Sequence, residues 1–377
     1  MNPYKRLYFS ILMLLGLGIG VRAEVVDEPE FASLPRQEDS AWCSITPYPQ
    51  QSEAGEAISL YPRQSEAGWL IGPSIGIVWG RAREIVFDVS GVQNQNDYLS
   101  ELIWELEKVF IFGIESHWRG KKMNGLEMKF NFAIPNVPVG KMDDYDWYFT
   151  NRDWSHWSQS HVKLRWGFIF DFLYEEVLVS SGRFKLKLGV GYHIDWWAWK
   201  DKIADSLYST VVRRTGRRFP DKINHAIGDK FRDRDNILPV GVNGINYWAM
   251  YHAPLLTVRG SFEWDVITLG VLGRVGPVLG ISKDHHLRRY EFGSKGVYFY
   301  DLVFGGPWVD ATIEVGFKIT DRVSFLLRGG FAWLNETRGY TILVPSNKGP
   351  TVVWGNAGGL AFQRIDVRTL FLWRLGQ

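Results

Sequence analysis

Two short segments of the 377-residue chain carry the side chains best placed for chemistry. Residues 141–147 read KMDDYDW and put Asp143, Asp144 and Asp146 within four positions; residues 281–292 read ISKDHHLRRYEF and put Asp284 two positions before His286. A carboxylate beside an imidazole fixes its tautomer and stabilises its protonated form. Such an imidazole can take a proton from water, and a facing pair of carboxylates can hold that water and raise the local basicity. The single cysteine, Cys43, is remote in sequence from both segments, and no serine elbow between a strand and a helix is legible. Activated water is therefore the natural nucleophile and hydrolysis the natural outcome. Each segment alone has a plainer reading. Clustered aspartates commonly serve turns, a lone histidine is commonly a surface group, and no Asp-x-Asp-x-Asp-Gly pattern supports a calcium loop, so no metal is expected. The chemistry requires both segments at one place.

The elements that must bring them together are strands. From about residue 68 the apolar residues follow a period of two. Leu126, Met128, Phe130 and Phe132 alternate with Glu127, Lys129 and Asn131; Ala311, Ile313, Val315, Phe317 and Ile319 alternate with Thr312, Glu314, Gly316 and Lys318. Similar alternation covers 162–174 and 184–196. Such runs give strands with one apolar and one polar face. A sandwich would bury the apolar faces against each other; a transmembrane barrel would turn them to lipid. Runs of ten or more residues, tryptophans near strand ends, and tight turns (263–266, 320–322) alternating with long connections (200–250, 335–356) favour the barrel. The expected fold is an all-β, ten-stranded antiparallel transmembrane barrel over 68–377, with strands at 68–89, 98–118, 125–133, 161–175, 183–199, 253–263, 266–283, 308–319, 322–334 and 359–374.

With that count, KMDDYDW falls in the third-to-fourth connection and ISKDHHLRRYEF in the seventh-to-eighth, both at the external end. In the seventh strand the odd positions are apolar and face lipid, so Asp284 and His286 face the lumen. In the first strand Ile75, Ile77, Trp79, Ile85 and Phe87 point out and Glu84 points in. Asp144, Asp146, Asp284, His286 and Glu84 thus gather at one mouth.

The rest of the chain bounds the setting. Lys5 and Arg6, the apolar run 7–21 and Val21-Arg22-Ala23 read as a secretory signal peptide over 1–23. Residues 24–67 read as a flexible lead-in with a short direct repeat, YPQQSEAG at 48–55 and YPRQSEAG at 61–68. Of 43 basic residues, loss of Lys5, Arg6 and Arg22 leaves 40 against 41 acidic, so no nucleic-acid partner is expected. One cysteine allows no internal disulfide. Oligomeric state leaves no mark on the sequence.

The stretch YLSELIW (98–104), the MDDYDW segment and the Asp-His-His segment, in this order and spacing, resemble the omptin family, outer-membrane endopeptidases of Gram-negative bacteria. The similarity runs with gaps from about residue 72 to the C-terminus. It implies a ten-stranded barrel with an extracellular active site acting on peptide or protein substrates. In its terms Asp144 and Asp146 form the first acidic pair, His286 is the general base oriented by Asp284, and water lies between His286 and Asp144. Glu84, in GRAREIVF (80–87), takes the place of an acid that receives an Arg or Lys side chain. The family's second such acid is Ser282 here, which halves the negative charge meant for that side chain. His285 stands where the family usually has Glu, and Gln159 stands for a family Ser, between Ser158 and Ser160. The resemblance also implies outer-membrane lipid as a partner and lipopolysaccharide as a requirement for activity, with no other cofactor. A barrel acting through its loops as an adhesin or receptor is the alternative; a passive porin ranks third, because ten strands with paired lumen charges leave little channel.

Overall fold

The computed structural model describes residues 68–89, 98–120, 124–147, 154, 156–208, 234–235, 239–291, 294–346 and 349–375. The expected signal peptide and lead-in lie outside these residues. The strands are β1 (Gly68–Phe87), β2 (Tyr98–Arg119), β3 (Gly125–Ala133), β4 (Pro138–Asp146), β5 (His156–Ser181), β6 (Phe184–Tyr208), β7 (Arg234–Asp235), β8 (Ile245–Glu263), β9 (Ile267–Glu291), β10 (Ser294–Lys318), β11 (Val323–Pro345) and β12 (Val352–Leu375). β3 and β4 are two halves of one stave, since both pair with β2 on one side and β5 on the other. With these joined and the two-residue β7 set aside, ten antiparallel staves form a ring that β1 and β12 close.

The strands are longer than alternation alone predicts. KMDDYDW is not a connection: residues up to Asp146 belong to β4. The expected connections at 284–307 and 335–356 are largely strand, because β9 runs to Glu291 before β10 starts at Ser294, and β11 runs to Pro345 before β12 starts at Val352. The apolar period stops where the barrel leaves lipid, but the hydrogen-bond ladder continues. Outward residues define that limit. Ile75, Phe110, Leu256, Val271 and Ile313 are all more than half exposed, as lipid-facing residues are. Trp69 and Trp118 mark one edge of this belt, and Trp79, Trp166, Trp196, Trp248 and Trp333 the other. Ten residues of β1 separate Trp69 from Trp79; at about 3.3 Å per residue and a tilt of roughly 40° they span about 25 Å. Beyond the second edge the outward positions turn polar, with Arg81, Lys163, Lys200 and Lys202. Ile85 and Phe87, expected to face lipid, are buried there in a cluster with Tyr98, Ile103, Tyr145, Trp147 and Trp157.

Bulges at this edge change which parity faces inward. In β3 the inward residues are odd (Glu127, Lys129, Asn131); after Gly140 they are even (Met142, Asp144, Asp146). Gly140 has φ +110, and a Cβ there would approach Glu105 Oε2 to 2.5 Å. One extra residue in a stave flips every side chain beyond it. In β10 the same switch occurs at Gly305 (φ +88): Trp308, Asp310, Thr312 and Glu314 face inward on one side of it, Asp301 and Val303 on the other.

The lumen is filled. Between the tight turns and the bulges it holds an ion network. Arg259 bonds Glu127 and Glu314 at 2.8 Å and Glu175 at 3.0 Å. Arg328 pairs with Glu115, Glu127 and Glu314, and Arg274 with Asp171 and Asp310. His193 sits between Asp171 (2.8 Å) and Asp195 (2.9 Å). Ser74, in the GPSIG stretch 72–76 whose glycine spacing matches a nucleophile elbow, lies mid-strand here and donates to Asn131 Oδ1 at 2.7 Å. Above the network lies an aromatic plug: Trp104 stacks on Tyr247 at 5.0 Å, Tyr251 packs on Phe362 at 4.9 Å, and Trp199 and Trp308 complete it, all at most 2% exposed. Among the described residues this plug fills the lumen, which speaks against the passive porin. Removing Arg259 takes a cation from three buried carboxylates, of which Glu127 and Glu314 keep Arg328, so Arg259→Met should cost about 3–5 kcal/mol; a thermal melt in detergent with an unchanged midpoint would contradict this role.

Candidate active site

Above the plug the ring opens into a cleft of about 1100 Å³ lined by Glu84 (β1), Asp144 and Asp146 (β4), Ser158 and Ser160 (β5), Asp201 (β6), and Asp284 and His286 (β9). All lie beyond the apolar belt. β4 delivers its aspartates because Gly140 resets the parity. β9 delivers Asp284 and His286 with no reset, since its inward positions are even throughout (Arg274, Val278, Ser282, Asp284).

His286 Nε2 lies 2.5 Å from Asp284 Oδ2, and the imidazole edge meets the Phe299 ring at 5.4 Å. The carboxylate and the aromatic edge together fix the ring. Asp284 is 1% exposed and its Oδ1 has no hydrogen-bond partner. On the β4 wall, Asp144 Oδ2 accepts from Ser158 Oγ at 3.5 Å, while Asp144 Oδ1 is buried and unpartnered. Burial, then the charges of Asp146 and Asp284, hold the Asp144 carboxyl well above the usual carboxylate range, against the pull of Arg289. That Asp144 senses both Asp146 and Asp284 places the two motifs in one electrostatic unit.

The neighbouring residues fall on defined faces. His285 lies on the outer face and stacks on Tyr298 at 4.0 Å; burial and then Lys283 lower its pKa. Gln159 does not occupy the site: its side chain donates to Asp143 Oδ1 at 2.8 Å. Ser158, directly across from Asp144, and Ser160 are the serines that line the cleft on β5, and Ser160 donates to Asp201 Oδ2 at 2.9 Å. Asp201 also accepts from the Gly244 and Ile245 backbone at 2.7 and 2.8 Å, which pins the start of β8. Ser282 is fully buried below the cleft and donates to Asp301 Oδ2 at 3.0 Å. Asp301 also accepts from Thr341 Oγ1 at 2.5 Å and from Glu84. Burial, then Asp284 and Asp301, push the Glu84 carboxyl well above its ordinary value; burial raises Asp301 to about 6. The pair therefore keeps one proton, with Glu84 the donor.

Asp301 and Asp201 escape sequence reading. Running the even inward parity of 308–319 back along β10 turns Asp301 outward; only the Gly305-Gly306-Pro307 run signals a reset. Of the described residues, Glu115, His117 and Glu127 come close enough to share a metal ion. They lie in the ion network, where Arg328, Arg259 and Lys129 already neutralise the carboxylates.

A closed ten-stave ring with this cleft at one end has a known counterpart, and the sequence matches it independently: the family model described as the Omptin family covers residues 69–371. The chain belongs to the omptin family. This omptin is 20% identical to Protease 7 of Escherichia coli (strain K12) over 268 residues, 64% of this chain and 78% of that one. The crystal structure of the outer membrane protease OmpT from Escherichia coli matches its fold with a TM-score of 0.70 at 16% identity, covering 82% of this chain and 97% of the other. As an omptin, the chain is an outer-membrane β-barrel in a family of proteases.

A carboxyl kept protonated by the fold makes folding less favourable as pH rises from about 4 through the raised value. Glu84→Gln removes that penalty. Its melting temperature should exceed that of the wild type at about pH 7.5, and the gap should close toward about pH 4. A lower melting temperature at the higher pH contradicts the electrostatic account.

Proposed function

We propose that this omptin is an endopeptidase that hydrolyses peptide bonds of external proteins with water activated by His286. The observation that carries this reading is the His286–Asp284 pair lining the same cleft as Asp144 and Asp146, on an omptin barrel. Water held between His286 and the aspartates gives a proton to the imidazole as its oxygen attacks the scissile carbonyl. Asp284 stabilises the imidazolium. The tetrahedral intermediate collapses, the C–N bond breaks, and the imidazolium returns the proton to the leaving amine. The aspartates act as water-holding groups, which makes the enzyme aspartic in type with a histidine base.

The cleft faces the cell exterior in this reading. The opposite end of the barrel carries the tight turns at Gly182, Asp265 and Asp321, and short turns belong to the periplasmic side. Outward Lys163, Lys200 and Lys202, just beyond the tryptophan edge, suit a layer of lipid phosphates, which supports a dependence on lipopolysaccharide. Glu84, below the dyad, suits a basic residue beside the cleaved bond.

Cleavage of a quenched fluorescent peptide library by protein refolded in detergent, with and without lipopolysaccharide, tests the proposal. His286→Ala should lower kcat by about 10²–10⁴-fold with the barrel still folded. If wild type and variant are equally silent under both lipid conditions, the catalytic reading fails and an adhesin or receptor takes its place.

A further inference from the structure

Peptide hydrolysis in this cleft sets a charge problem. As the water oxygen bonds the scissile carbon and its proton passes to His286, the C=O electron pair moves onto the carbonyl oxygen, which becomes an oxyanion. The surroundings oppose that charge: Glu84, Asp88, Asp144, Asp146, Asp201 and Asp284 all line the cleft. An anion forming among carboxyl groups needs a positive group aimed at it, and such preorganised partners carry a large share of catalysis. Among the described residues, Arg288 and Arg289 are the arginines that line the cleft, and no lysine does.

The two arginines are placed differently. Arg288 Nε donates to the Asn243 carbonyl at 3.2 Å, which holds this side chain against the chain entering β8. The Arg289 guanidinium carbon lies 5.1 Å from the centre of the Phe299 ring, a cation–π distance. The same ring meets the His286 imidazole at 5.4 Å. Phe299 thus props an imidazole and a guanidinium against one ring. The charge of Arg289 also reaches the opposite wall: burial, then Asp146 and Asp284, raise the Asp144 carboxyl, and Arg289 pulls against them. A carbonyl attacked by water held between His286 and Asp144 lies in that same space.

A bulge puts Arg289 there. His286 is across from Val297 and Tyr290 from Lys295, so Leu287, Arg288 and Arg289 on β9 face only Gly296 on β10, whose φ is +90. Regular alternation would send Arg289 to the outer face with His285. The extra residues let Arg288 and Arg289 both line the cleft.

We propose that Arg289 is a catalytic residue of this omptin: propped on Phe299 beside His286, its guanidinium donates to the scissile carbonyl oxygen as that oxygen becomes negative. The inference rests on the endopeptidase reading of the cleft. When the C–N bond breaks, the electron pair returns to re-form C=O and the interaction weakens, so Arg289 favours the intermediate over substrate and product.

The test is the split between kcat and KM on the peptide that the wild type cleaves best. Arg289→Ala should lower kcat about 10²-fold with KM nearly unchanged. Millimolar guanidinium chloride should restore part of that rate, which a merely structural role would not allow. Arg288→Ala removes the same charge from the same cleft; an equal loss of kcat there assigns the effect to the overall field and overturns the proposal, as does a raised KM with unchanged kcat in Arg289→Ala. Fluorescence anisotropy gives a second measurement, on a peptide with Arg before the cleaved bond and on its phosphinate analogue, whose tetrahedral, negatively charged phosphorus group replaces the reacting carbonyl. Arg289→Ala should weaken phosphinate binding by about tenfold or more and leave peptide binding unchanged. That loss supports Arg289 whether or not the refolded protein turns over. Equal phosphinate binding by wild type and variant overturns the proposal, while a wild type that cleaves remains an endopeptidase.

Discussion

Closure of the β1–β12 ladder is the constraint on which the molecule depends. A sheet crossing hydrocarbon cannot leave edge N–H and C=O groups unpaired, and sixteen residues of β1, from Trp69 to Val86, find register partners on β12. Closing ten staves fixes an inside and an outside and commits every residue to one of them. Outside, the commitment produces the apolar belt with its tryptophan edges. Inside, it produces a space too narrow for bulk water, where charged side chains must find one another. The ion network is the answer to that second demand: Arg259 and Arg328 each span three carboxylates drawn from strands far apart in sequence, so the charges also tie opposite walls together.

The barrel is nonetheless not uniform along its axis. Near the level where it leaves lipid, staves carry irregularities: Lys108 on β2, Gly140 on β4 and Gly305 on β10 all have positive φ, and register shifts occur beside each. Below this level parity is set by lipid; above it, each strand is free to present a different set. The candidate site occupies the second region. Asp144, Asp146 and Asp301 face inward because of Gly140 and Gly305, whereas Asp284 and His286 do so by uninterrupted alternation.

That difference explains what could be read in advance. Alternation showed the staves within the belt, their number, and the inward face of β9, since lipid imposes a strong and regular pattern there. The motif spacing singles out Asp144, Asp146, Asp284 and His286, which line one cleft. The protruding portions read as loops in the sequence because no apolar period marks a strand with aqueous surroundings on its outer face. Asp301 was invisible for a related reason: its orientation depends on a two-glycine interruption whose effect on phase cannot be told from its composition. Gln159 and Ser158 show the same limit, as one step of parity decides which of them meets Asp144.

The aromatic plug has a consequence for the cell rather than for the cleft. With Trp104, Trp199, Trp308, Tyr247, Tyr251 and Phe362 packed across the lumen, the barrel is a cup and not a pipe. A lumen filled in this way works against leakage of solutes across the membrane that holds it. The cup also has a single opening, so whatever enters the cleft must leave by the same mouth.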